Sequence, residues 1–96
     1  MATYIHLVNF TDQGARNIKE TPNRAEAFQA LAAKMGVQVK SIFWTSGQYD
    51  LVLITEGSDE AVMATLAASA SLGNVRTQTL RAFNASEIKK IISLMP

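Results

Sequence analysis

Residues 37–56 read VQVKSIFWTSGQYDLVLITE, two runs rich in β-branched and aromatic residues around Ser46-Gly47. The pattern predicts a β-hairpin whose second strand opens with Gly47-Gln48-Tyr49-Asp50. Pairing Trp44 with Tyr49 sets Ile42 opposite Leu51 and Lys40 opposite Leu53 on one side. On the other side Phe43 opposes Asp50, Ser41 opposes Val52 and Val39 opposes Ile54. Any even-length loop gives the same facing. Both faces of the hairpin are therefore apolar, unlike an antiparallel sheet that keeps one side wet. The remainder of the chain must supply cover for two apolar surfaces, and few folds do so.

The other segments are read from caps and periodicity. Thr3–Phe10 is β-branched and aromatic and predicts a first strand, broken by Thr11-Asp12-Gln13-Gly14. Ala15–Glu20 is expected to form a helical turn. Thr21 as N-cap and Pro22 at the first helical position open a helix that runs to Met35 and stops at Gly36. Its apolar stripe is Phe28, Leu31, Ala32 and Met35, with Arg24, Glu26, Gln29 and Lys34 mostly off it. Ser58 caps a second helix to Leu72, ended by Gly73, with Val62, Leu66 and Ala70 inward and Met63 and Ala67 beside them. Asn74–Phe83 reads as a fourth strand. Asn84-Ala85-Ser86-Glu87 has capping-box spacing and starts a last helix carrying Ile88, Ile91, Ile92 and Met95 on one face.

The order β-α-β-β-α-β plus a terminal helix predicts one α+β domain over residues 1–96. Right-handed crossovers put both helices on one side of a four-stranded antiparallel sheet, with strands one and three central, the ferredoxin-like arrangement. Val37, Val39, Phe43, Val52 and Ile54 are assigned to the face under the helices. Ile42, Trp44, Tyr49, Leu51 and Leu53 are assigned to the open face. At ~25 cal/mol per Å², leaving several large side chains wet costs several kcal/mol. Such a patch marks an interface, so two copies are expected to stack sheet to sheet about a two-fold axis. The alternative is a monomer whose terminal helix folds back over the open face.

Charge narrows the partners. Lys, Arg, Asp and Glu are interspersed at a net charge of +1, leaving neither a basic stripe for nucleic acid nor a polybasic segment for an anionic membrane. No apolar run approaches the roughly 20 residues of a membrane span. The absence of cysteine removes disulfides and thiolate chemistry and fits a reducing, cytoplasmic setting. The opening Thr3-Tyr4-Ile5-His6 carries no signal-peptide pattern.

Gly47-Gln48-Tyr49-Asp50-Leu51-Val52 resembles the motif of the GYD domain family. The opening Tyr4–Gly14 segment, the Thr21-Pro22-Asn23-Arg24 helix start, and Gly73–Thr77 running on to Thr79-Leu80-Arg81-Ala82-Phe83 are similar to the same family, in order and over nearly the whole chain. The resemblance implies a dimeric α+β barrel made of two stacked ferredoxin-like sheets, but no established activity. The Gly-x-Tyr-Asp strand and a later Gly-x-Val-x-x-x-Thr are also similar to the effector-binding domain of feast/famine transcription regulators, where amino acids bind at subunit contacts. Antibiotic-biosynthesis monooxygenases share the barrel architecture, which is analogy at the level of fold.

Six residues are candidates for binding. Asp50, expected beside Phe43 on the core face, is a general base, a ligand anchor, or a carboxylate that accepts local donors and fixes the turn. His6 is the only histidine. It cannot build a multi-histidine metal site, and no motif supports a haem ligand, so no cofactor is expected. It serves either as a hydrogen-bonded strand residue or as a proton shuttle with Asp50 or Tyr49. Trp44 and Tyr49 can wall an aromatic pocket or simply pack. Arg76 and Arg81 can clamp a carboxylate or phosphate, or keep an edge strand charged. These readings favour an oligomeric, non-catalytic, small-molecule-binding domain. The alternatives are a small cofactor-free monooxygenase- or isomerase-like enzyme using His6 or Asp50, and an assembly module whose terminal helix docks on a neighbouring dimer.

Overall fold

The computed structural model describes residues 1–96 and has the expected element order. The strands are β1 (Ala2–Phe10), β2 (Gln38–Trp44), β3 (Leu51–Gly57) and β4 (Val75–Ala82). The helices are α1 (Asp12–Arg16), α2 (Thr21–Lys34), α3 (Asp59–Ser71) and α4 (Ala85–Ser93), with a 3-10 turn at Ile18–Glu20. The sheet is antiparallel in the order β2-β3-β1-β4, so β1 and β3 are central.

Caps explain most boundaries. The Ser58 hydroxyl accepts from Ala61 N at 3.2 Å at the head of α3. Asn84 and Glu87 form the reciprocal capping box of α4. Gly36 takes φ +76° just beyond α2, a left-handed conformation that suits glycine. Thr21 is different from expectation. It lies inside α2, the N-cap position is Glu20 without a side-chain bond, and the Thr21 hydroxyl accepts from the Trp44 indole N–H at 3.1 Å. A long-range partner has claimed the group that the local pattern assigns to capping.

The hairpin differs in two respects. Its loop is six residues long, Thr45–Asp50, so Gly47-Gln48-Tyr49-Asp50 precedes β3 rather than opening it. The register pairs Trp44 with Leu51, Phe43 with Val52, Ile42 with Leu53 and Ser41 with Ile54. The two faces are also exchanged. Leu51, Leu53 and Thr55 are buried under the helices beside Tyr4, His6 and Val8, and Trp44 and Ile42 share that side. Phe43, Val52 and Ile54 lie on the open face with Ile5, Leu7 and Leu80. The cause is a bulge between Val39 and Ser41. Val39 pairs with Thr55 and packs on the helix-side core, as expected of it. The extra residue Lys40 reverses the alternation, so every position beyond it points the other way.

The core lies between sheet and helices in two adjoining clusters. Tyr4, Ala32, Val37 and Val62 form one, and Val8, Leu51 and Leu53 the other, with Phe28 packed against both. Ala32 is fully buried, a small side chain that lets α2 approach the sheet closely. No helix crosses to the open face. α4 leaves the end of β4 and makes no substantial packing with any other element, so it does not cover the open face of its own chain. No helix is long and apolar enough to cross a membrane.

Candidate functional site

A cavity of about 160 Å³ opens between the sheet and helices α2 and α3. Val8, Leu51 and Leu53 of the sheet, Phe28 and Leu31 of α2, and Leu66 of α3 make its apolar walls. Phe10, Leu72 and Val75 also line it, together with the polar residues Thr21, Arg24, Ser69, Asn74 and Thr77.

His6 also lines this cavity. Strand alternation sends it inward between Tyr4 and Val8, and only 1% of its surface is exposed. Nδ1 lies 3.0 Å from Thr79 Oγ1 and Nε2 lies 2.8 Å from Thr55 Oγ1. Burial lowers its pKa from 6.5 to about 4, so the imidazole is neutral at neutral pH. A neutral ring donates through one nitrogen and accepts through the other. One threonine hydroxyl therefore accepts from His6 and the other donates to it, and both ring nitrogens are engaged. Tyr4 stacks alongside, with ring centroids 6.3 Å apart.

The segment from Thr11 through α1 braces the loop whose Leu72 and Asn74 line the cavity. The Thr11 hydroxyl accepts from Gly14 N and donates to Gly73 O at 2.6 Å, and Thr11 N donates to Asn74 O at 3.0 Å. The Gln13 amide donates to Leu72 O and Asn74 Oδ1. Gly14 is buried against this loop so closely that a Cβ would sit 2.0 Å from Asn74 O. Arg24 then ties α2 to the same strap, donating from Nη1 to Asn17 O at 2.9 Å and from Nη2 to Gly14 O at 3.4 Å. Its guanidinium lies 5.9 Å from the Phe10 ring centroid.

Of the six candidate residues, only His6 lines the cavity. Trp44 lies at the sheet edge with its N–H on Thr21. The Tyr49 hydroxyl donates to Gln78 Oε1 at 2.9 Å, on the open-face side of β4, so the two aromatics do not form a pocket wall together. Asp50 is not beside Phe43. Its carboxylate accepts from Phe10 N at 2.8 Å while its own N–H donates to Val8 O, pinning the hairpin loop to β1. Arg76 is an exposed β4 side chain that donates to Val75 O. Arg81 donates to Thr3 O and Ala82 O and lies 5.6 Å from the Tyr4 ring and 4.4 Å from the Phe83 ring. Neither arginine reaches the cavity.

The sequence reading missed Arg24. It stands four residues before Phe28, and this i, i+4 spacing puts both side chains on the cavity face of α2. Its positive charge had placed it with the solvated residues. Chemically the site is an apolar chamber with a neutral imidazole at the sheet and one cation at the rim. His6 and Asp50 are held by separate partners, so no acid–base pair is assembled. No group of three His, Cys, Asp or Glu side chains gathers to hold a metal.

The model of the GYD domain family matches residues 4–92. A glutamine synthetase and cystathionine beta-lyase binding protein from Thermus thermophilus is 36% identical over 90 residues, covering 92% of this chain and 95% of that protein. Among solved structures, a feast or famine regulatory protein from M. tuberculosis, complexed with L-methionine, superposes with a TM-score of 0.66 at 20% identity. That match covers 88% of this chain and 52% of the regulator, and at this identity it speaks to the fold alone.

Proposed function

This chain belongs to the GYD domain family, and from that premise we propose that it is a non-catalytic binding protein that works as a homodimer. It holds a small, largely apolar carboxylate between the sheet and helices α2 and α3. The observation that carries this reading is the chamber itself, apolar on its walls with Arg24 at its rim. A dry cavity of about 150 Å³ accepts a molecule the size of benzene. A chamber of about 160 Å³ therefore suits a compact aromatic or branched body, with the acid group at the mouth near Arg24. The neutral imidazole adds no charge that such a body would have to desolvate.

Catalysis is the weaker reading, because His6 has both nitrogens occupied by threonines and Asp50 serves a backbone N–H. The name of the Thermus thermophilus relative describes a protein that binds enzymes, which supports a binding role. Support for the dimer comes from the open sheet face, where Ile5, Leu7, Val52 and Ile54 are flanked by Phe43, 61% exposed, and Leu80, 42% exposed.

A thermal-shift screen of aromatic and branched carboxylates and amino acids tests the ligand. Saturation at a hundred times Kd stabilises by about 2.7 kcal/mol, a rise of about 13 °C in Tm for a domain of this size. Leu66→Trp, which fills the chamber, abolishes the rise. Failure of every such compound to raise Tm would refute the proposal.

A further inference from the structure

We propose that the chamber takes a deaminated acid, a branched or aromatic 2-oxo or 2-hydroxy carboxylate, and turns away the amino acid of the same shape. The inference rests on the carboxylate site proposed above and deepens it by fixing what stands beside the carboxylate.

Seventeen residues line the chamber, and Arg24 is the one charged side chain among them. No aspartate or glutamate is there to pair with an ammonium. Acids on neighbouring segments serve other groups. The Asp50 carboxylate accepts from Phe10 N at 2.8 Å, and Glu20 Oε2 accepts from the Asn23 amide at 3.1 Å. Neither lines the chamber, and nor does Asp12.

Backbone carbonyls are the other means of holding an ammonium, and the C-terminal end of α3 would offer them with a favourable dipole. They are already used. Ser69 O accepts from Leu72 N, and Ala70 O from Gly73 N. Leu72 O accepts from the Gln13 amide, Gly73 O from the Thr11 hydroxyl, and Asn74 O from Thr11 N. Gly14 O and Asn17 O are taken in the same way by Arg24. The bonds that brace the chamber thus also use up the acceptors that an ammonium needs.

What is left over suits an anion and a neutral oxygen. Arg24 keeps its other N–H groups for a carboxylate. With Thr21 it stands in the first turn of α2, where the helix dipole favours an anion and opposes a cation. The Thr21 hydroxyl accepts from the Trp44 indole, so its own proton is free to donate. Asn74 turns Oδ1 to Gln13, which leaves its amide N–H groups free. Ser69 and Thr77 add two further hydroxyls. A 2-oxo or 2-hydroxy oxygen can accept from these donors. An ammonium on the same carbon would be buried beside the guanidinium, with like charge and without an acceptor.

The test uses the whole chain. Trp44 is the only tryptophan and its N–H is held by Thr21, a lining residue, so its fluorescence reports occupancy. Calorimetry on the same samples gives Kd where fluorescence is silent. Two matched pairs are titrated, 4-methyl-2-oxopentanoate against leucine and 2-hydroxy-3-phenylpropanoate against phenylalanine. In each pair the oxygen-bearing acid is expected to bind about tenfold tighter or more. Amino acids that bind as tightly as their partners would overturn the inference and leave the carboxylate site standing. No binding by any of the four would overturn the site and the inference together. Thr77→Asp supplies the missing counter-charge at an exposed strand position, and Ser69→Asp supplies it from α3. In a variant whose far-UV circular dichroism is unchanged, leucine is expected to gain about tenfold on the oxo acid. An unchanged ratio in a folded variant would overturn the inference.

Discussion

The imidazole of His6 meets the Thr55 hydroxyl at 2.8 Å in the interior, with both residues 1% exposed. This contact joins the two central strands and helps set the sheet-side polarity of the cavity. It also gives stability a defined response to acid. His6 has a pKa of about 4 when folded and 6.5 when exposed, because burial penalises the imidazolium. Between those values the unfolded chain binds a proton that the folded one does not, so stability falls as pH drops from 6.5 toward 4. At 1.36 kcal/mol per unit the full loss is about 3 kcal/mol. Urea denaturation between pH 5 and 7.5 should show the midpoint rising with pH. His6→Gln, which cannot titrate, should flatten that slope.

Tyr4 carries the opposite lesson. Its hydroxyl is buried and has no hydrogen-bond partner. An unpaired buried polar group costs about 1–3 kcal/mol. Tyr4→Phe keeps the ring under the Arg81 guanidinium and removes the unpaired group. It should leave Tm unchanged or raise it by a few degrees in calorimetry. A marked loss would mean that the hydroxyl is satisfied in solution.

Gly14 and Gly36 separate contact from conformation. At Gly14 a Cβ would meet Asn74 O at 2.0 Å, backbone that cannot yield without moving the cavity rim. Gly14→Ala is therefore expected to cost about 2 kcal/mol or more, as an overpacking change, and to weaken ligand-induced stabilisation. At Gly36 nothing lies within 4 Å, and the difficulty is φ of +76° alone. Gly36→Ala should cost about 1 kcal/mol and leave ligand binding intact. Denaturant midpoints and thermal shifts on the two variants check both halves.

Phe43 is the most exposed apolar side chain of the open face. Phe43→Glu puts a charge where a stacked partner would desolvate it, at a cost of several kcal/mol to association. The folded monomer loses little, because the position is already wet. Light scattering should report a monomer mass and circular dichroism an unchanged fold. A persisting dimer would move the interface off this face.

Local chemistry made the element order legible. Ser58, the Asn84–Glu87 pair, Gly36 and Gly73 act over three or four residues, and the apolar periods of α2 and α3 do the same, so the sequence determines where the helices and strands lie and which strands are central. The family resemblance was readable for the same reason, being carried by contiguous motifs. Three matters were decided only in three dimensions. One bulged residue, Lys40, reversed which hairpin side chains face the helices, and strict alternation cannot reveal an inserted residue. Thr21 and Asp50 took partners 23 and 40 residues away, so their local readings as cap and core acid gave way to contacts that chain folding supplies. Arg24 is held at the cavity by the backbone carbonyls of Gly14 and Asn17. Period and capping are short-range terms, whereas facing, partner choice and cavity shape depend on which distant segments meet.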